Sequence, residues 1–148
     1  MSDVILKLIP KDPEFVPNET KLGKAKDWIN LNVSNEKTEY IETDEVRFID
    51  QGENFEGVSC PLCFSKIEID WWSAAMDNAS ESSFHNLSMV TDCCNKATSL
   101  NDLNYKWNAG FSRFSIEIIN PKDDLTLEHI ECLGQLLGCQ IKKVVAYY

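Results

Sequence analysis

Four thiols stand at the two ends of one stretch of this chain. Cys60-Pro61-Leu62-Cys63 opens it and the adjacent pair Cys93-Cys94 closes it. Two residues between cysteines let both sulfurs face a single ion, with Zn–S distances of about 2.3 Å in tetrahedral geometry. The second half departs from that spacing. Neighbours in an extended strand point to opposite faces, so Cys93 and Cys94 can bind one ion together only if the backbone turns between them. Without such a turn a fourth ligand must come from His85, Asp92, Cys132 or Cys139, His85 first among them. Two other chemistries use the same residues. Cys-Pro-x-Cys is also a redox spacing, but thioredoxin-like chemistry wants the pair entering a helix directly, and here the helix begins several residues later. Four ordinary buried thiols are the blandest reading. A four-thiolate set leaves no open coordination position, so the expected cofactor is one structural zinc per chain rather than a catalytic ion.

Little else in the chain carries a chemical signature. There is no glycine-rich phosphate loop, no His-Glu-x-x-His and no Gly-x-Ser-x-Gly. His85 reads first as a hydrogen-bonded structural histidine, and as the base beside Cys93 only in a thiol-dependent enzyme. His129 reads as a solvated surface group. Trp71, Trp72 and Met76 could line a pocket, although one tryptophan inside and one outside is commoner. Asp102 and Arg113 read as a surface pair. With Trp71 and Asp77 they form the expected interaction surface.

The elements that must hold these residues follow from patterning. The 148 residues, 43% hydrophobic and 26% charged, fit a single globular domain over 1–148 with a zinc-stapled subregion over 60–94. Residues 3–9 read as a strand, and Asn18 as the cap of a helix over 19–31 burying Leu22, Ala25 and Ile29 or Trp28. Val46, Phe48 and Asp50 alternate like a half-buried strand inside an acidic stretch, and a short strand over 55–59 leads to Cys60. Asp70 caps a helix over 71–81 with Trp72, Ala75, Met76 and Ala79 as its apolar stripe. Residues 84–91 read as a strand. Residues 99–106 and 111–119 then pair as a hairpin, placing Leu103, Tyr105, Phe114, Ile116 and Ile118 on one face and Asp102, Arg113 and Glu117 on the other. Thr126 caps a helix with Leu127, Ile130, Leu133 and Leu137 inward, Gly138 ends it, and residues 140–147 form the last strand. Ile9-Pro10-Lys11-Asp12 echoes Asn120-Pro121-Lys122-Asp123. The fold class is therefore α+β: two strand–helix–strand units, ferredoxin-like in outline, with a zinc-ribbon-like insertion and a β-hairpin.

Charge bounds the partners. At −10 the chain repels nucleic-acid phosphates and anionic lipid, and its densest lysine groups, Lys21, Lys24, Lys26 and Lys142-Lys143, are no nucleic-acid footprint. A basic protein is the expected partner. No leader peptide and no membrane-length apolar run is visible, so a cytoplasmic location is expected, where six cysteines serve as thiols or ligands rather than disulfides.

Taken together, several motifs resemble a family of small, uncharacterised bacterial proteins. They are Phe48-Ile49-Asp50-Gln51-Gly52-Glu53-Asn54-Phe55-Glu56, Cys60-Pro61-Leu62-Cys63, Trp71-Trp72, Met76-Asp77, Cys93-Cys94, Ser99-Leu100-Asn101-Asp102-Leu103, Trp107-Asn108-Ala109-Gly110-Phe111-Ser112-Arg113-Phe114 and Asn120-Pro121. The resemblance spans about residue 4 to the end. It implies one bacterial domain with zinc at the four cysteines and no particular activity. Where the family's turn tends to carry proline after tryptophan, this chain has Asn108. The expected role is protein–protein contact by a zinc-stapled protein, such as an immunity or adaptor protein. The alternative is a thiol enzyme or redox protein using Cys60-Cys63 or Cys93 with His85.

Overall fold

A computed structural model describes residues 3–148. The chain begins β1 (Val4–Pro10), α1 (Glu19–Asn32), β2 (Lys37–Ile49) and ends β8 (Gly110–Ile119), α3 (Leu127–Leu137), β9 (Ile141–Tyr147). Between β2 and β8 it inserts β3 (Val58–Ser59), β4 (Lys66–Ile67), α2 (Ile69–Ser80), β5 (Ser88–Val90), β6 (Ala97–Ser99), a 3-10 turn over Leu100–Asp102, and β7 (Asn104–Tyr105). The outer elements build a four-stranded antiparallel sheet in the order β2-β8-β1-β9. The insertion supplies two small antiparallel sheets, β4-β3-β7 and β5-β6.

Period-two patterning decides which face of the large sheet is covered. Leu6 lies opposite Ile118 and Leu8 opposite Ile116, so these four share a face. Ala25 and Ile29 of α1 and Leu133 and Leu137 of α3 close over it, giving one apolar core. Both helices begin as their sequences dictate. Asn18 accepts from the Lys21 amide at 2.8 Å, and Thr126 accepts from the His129 amide at 3.2 Å. His129 returns the bond by accepting from the Thr126 amide, and it packs edge-on against Trp28; it is a capping residue rather than a merely solvated one. Gly138, in the left-handed region at φ 85°, ends α3.

The opposite face holds a buried charge. Lys7 is 5% exposed and donates to Tyr148 Oη at 2.6 Å, to the Asp50 carboxylate at 3.1 Å and to the Asp50 carbonyl at 3.0 Å. Burial works against charge on Lys7 and on Asp50. The hydrogen bonds to Tyr148 and between the two groups outweigh it, so the Lys7 pKa is raised and that of Asp50 lowered.

The β9 edge is closed by hydrogen bonds rather than by another strand. Its even-numbered residues bond to β1, as Tyr148 does to Asp3, which turns the odd-numbered amides and carbonyls outward. The Glu53 amide takes the Tyr147 carbonyl at 2.8 Å and the Asn54 side chain takes that of Val145 at 2.9 Å. Gly52 makes this closure: it sits at φ +59°, and a β-carbon there would run into the Tyr147 carbonyl. Gly52→Ala is therefore expected to cost about 1–3 kcal/mol, read as a lower urea midpoint, because left-handed strain and the clash add.

Several sequence expectations need correction. Residues 99–106 and 111–119 do not form a hairpin. β8 is a central strand whose two edges are taken by β1 and β2, while Asn104–Tyr105 pairs with β3. The alternation seen in 111–119 comes instead from one face under the helices, with Phe114, Ile116 and Ile118, and the other partly under the insertion, where Phe111 is fully buried. β2 runs from Lys37 to Ile49 through most of the acidic stretch as a sheet edge, bulged between Glu42 and Arg47. Such charge and irregularity keep an edge from pairing with other chains. α2 begins at Ile69 with Glu68 at its cap and no side-chain cap bond, so Asp70 lies in the first turn. The strand foreseen over 84–91 shrinks to Ser88–Val90, since Ser83 and Phe84 adopt left-handed turns. Leu127 opens α3 pointing outward, 84% exposed.

Candidate metal centre

Two short hairpins bring the four cysteines together. The first joins β3 to β4: the Cys60 amide donates to Ser65 O at 2.9 Å, the Phe64 amide donates to Cys60 O at 3.0 Å, and Phe64 is left-handed at φ 64°. The second joins β5 to β6 in the same way. The Thr91 amide donates to Lys96 O at 3.0 Å, the Asn95 amide to Thr91 O at 2.9 Å, and Asn95 is left-handed at φ 57°. Superposing the two bond patterns sets Cys63 against Cys94, Phe64 against Asn95, and Cys60 against Thr91. The second turn thus keeps one knuckle cysteine, Cys94, and puts a buried threonine where the first knuckle has its leading cysteine. Cys93, matched to Leu62, supplies the missing thiol from inside the turn. This is the backbone turn that an adjacent cysteine pair needs. Its sequence signal was present in Thr91-Asp92-Cys93-Cys94-Asn95, which repeats the knuckle length and ends on a residue that tolerates the left-handed region.

The four sulfurs lie within 4.8 Å of one another. Cys60 Sγ is 3.8 Å from Cys94 Sγ, and Cys63 Sγ is 3.3 Å from Cys93 Sγ. Sulfurs bound to one tetrahedral zinc stand about 3.8 Å apart, as Zn–S bonds of about 2.3 Å require. The cluster is therefore of the size that one such ion fills, and an all-sulfur donor set suits zinc. Its inner side is sealed: Cys60 is fully buried, and Thr91 Oγ1 lies 3.1 Å from Cys94 Sγ. Cys63 and Cys93 face solvent.

The thiols differ in acidity. Hydrogen bonds from Ser65 lower the Cys63 pKa to about 6, and the hydrogen-bonded Cys63 sulfur pushes that of Cys93 up to about 12. At neutral pH the metal-free pair thus retains a proton that a metal must displace. Zinc affinity is expected to rise with pH by at least about tenfold per unit through pH 6–8, with matching proton release in calorimetry across buffers of different ionisation enthalpy. An affinity flat across that range would show that Cys93 loses no proton to the ion.

The other candidate residues are dispersed. His85 Nδ1 lies 2.8 Å from the Glu14 carboxylate and does not join the sulfur cluster. Arg113 donates to Thr43 O at 3.0 Å, while Asp102 is exposed on the 3-10 turn; with no hairpin to align them, they form no ion pair among the described residues. Asp77 is exposed on α2. Trp71 and Trp72 are both half-buried; Trp72 packs against Phe48 and Phe55 and donates to Tyr105 Oη at 3.3 Å. Of the three residues read as possible pocket lining, Trp71 stands in the wall of a groove of about 540 Å³ between α2 and β5, and Trp72 and Met76 do not.

The fold and the site define an α+β protein with a four-cysteine cluster consistent with a structural metal site. No helix among the described residues is long and apolar enough to cross a membrane. No known protein family, curated protein or solved structure matches the chain, and the motif resemblance carries no family assignment.

Proposed function

We propose that the chain is a non-enzymatic, zinc-stapled protein that acts through contact with another protein, a basic one in keeping with its charge of −10. The observation that carries this is the closed set of four sulfurs joining two hairpins on either side of α2. Such a site supplies rigidity and leaves no coordination position for a substrate. What the ion would hold in place is α2 and the β5-β6 ribbon, which share a second apolar core with Phe111 of β8. We further class the outer framework as ferredoxin-like, because a strand–helix–strand repeat with both helices in one core and the order β2-β8-β1-β9 is the topology that name denotes. The insertion is zinc-ribbon-like by its paired knuckles. An immunity or adaptor role fits this size and acidity.

A thiol enzyme built on Cys93 and His85 loses support, because His85 is engaged by Glu14. Metal analysis with thiol alkylation tests the choice. The structural account expects one zinc per chain, with Cys60, Cys63, Cys93 and Cys94 unreactive until a chelator is added. A metal-free chain with one rapidly alkylated thiol would refute it.

A further inference from the structure

The groove between α2 and β5 has a strand edge for one wall. The Leu100 amide donates to Leu87 O and the Thr91 amide to Lys96 O, so the odd-numbered residues of β5 bond to β6. The even-numbered ones face away from it. On that outer edge the Ser88 amide is taken by Asn86 Oδ1 at 3.2 Å. The Ser88 carbonyl and both the amide and the carbonyl of Val90 have no partner among the described residues. The groove runs along β5: Ser88, Met89 and Val90 line it, with Leu100 just past the end of β6, while none of Ala97–Ser99 does. Its facing wall is the α2 surface of Trp71, Ala75 and Asn78. Val90 is an apolar residue left 55% exposed there.

The charge around the groove has one sign in excess. Glu81 lines it. A smaller adjoining hollow, which shares Trp71, is lined by Glu68 and Asp92 with Lys66 as its one base. None of these three carboxylates has an ion-pair partner among the described residues. A second copy of this chain, carrying the same −10, would be repelled.

We infer that this groove takes an extended segment of a partner protein, in which apolar residues alternate with lysine or arginine, as an added strand on the outer edge of β5. The segment's backbone pairs with the amide and carbonyl of Val90 and the carbonyl of Ser88. Its apolar side chains lie on Trp71 and Ala75, and its basic ones meet Glu81 and Asp92. The inference rests on the protein-contact reading above and gives it a site and a partner chemistry.

Fluorescence anisotropy with a labelled peptide of alternating valine and lysine tests it. Saturable binding to the wild-type chain is expected. It should be lost for the same peptide N-methylated at every residue, which keeps its charge but not its donors, and for a valine–glutamate peptide. Val90→Pro removes an amide that β6 does not use, so the ribbon is preserved while affinity falls about tenfold or more; Val90→Ala should fall by less. Glu81→Lys should weaken binding several-fold at low salt, and the difference should shrink as salt is raised. Should Val90→Pro fail to fold, the N-methylated peptide and Glu81→Lys still decide. No saturable binding, equal binding of the N-methylated or glutamate peptide, or a folded Val90→Pro with unchanged affinity would overturn the inference. So would self-association of the chain that Val90→Pro abolishes. Zinc content measured on the same samples separates the two claims: a metal-free chain that still shows the expected peptide pattern keeps the groove and refutes only the zinc clamp.

Discussion

Replacing Cys93 by serine should cost the chain its zinc, and adding Thr91→Cys to that variant should restore it. The expectation follows from the matched turns. Thr91 is fully buried at the position Cys60 occupies in the first knuckle, with its hydroxyl already 3.1 Å from Cys94 Sγ. A thiol placed there would complete a two-spaced pair with Cys94 and make Cys93 dispensable. Losing one of four thiolates should weaken zinc binding by about 100-fold or more, measured by competition with a chromophoric chelator. Cys60→Ser should do the same. Cys132→Ser and Cys139→Ser should leave zinc untouched, because both lie outside the cluster. Retention of full affinity by Cys93→Ser alone would remove Cys93 from the ligand set.

Phe111→Ala should produce the largest loss of stability of any single substitution named here. Phe111 is fully buried, with Phe48 at 5.1 Å and Phe84 at 5.4 Å between ring centroids. It sits on β8, whose Phe114, Ile116 and Ile118 belong to the core under the helices, yet its own side chain belongs to the core of the insertion. One strand therefore ties the two cores together, and this ring is its anchor in the second. Truncating it leaves a cavity and forfeits aromatic contacts, at a cost of about 3–5 kcal/mol. Against a total stability of about 5–15 kcal/mol this would be visible at once in urea unfolding of the zinc-loaded protein. Leu31→Ala, at an 84% exposed site, is the matched control and should shift stability by less than about 0.5 kcal/mol. A loss below about 1 kcal/mol for Phe111→Ala would mean that the insertion is held to the sheet by something other than this core.

Local rules in the sequence carried some elements well and failed for others for identifiable reasons. Asn18, Thr126 and Gly138 mark helix ends through bonds and backbone angles that each makes on its own, and all three do so in the structure. The mispaired hairpin failed because alternation in residues 111–119 reports which faces are covered and says nothing of which strand lies alongside. Its true neighbours, β1 and β2, are far away in the chain. Asp102 and Arg113 were set together only by that register, and they part with it. In the same way, the sulfur cluster was legible from spacing in its first half, where the ligands lie three residues apart. The second half depended on a turn whose leading residue is a threonine, which spacing rules written for cysteine pass over.

Zinc K-edge X-ray absorption on protein purified without added metal tests the central claim most directly. One zinc per chain is expected, with four sulfur neighbours at about 2.3 Å and no nitrogen or oxygen bound to it. A chain without zinc, or a zinc with a water, carboxylate or imidazole ligand in place of one sulfur, would contradict it.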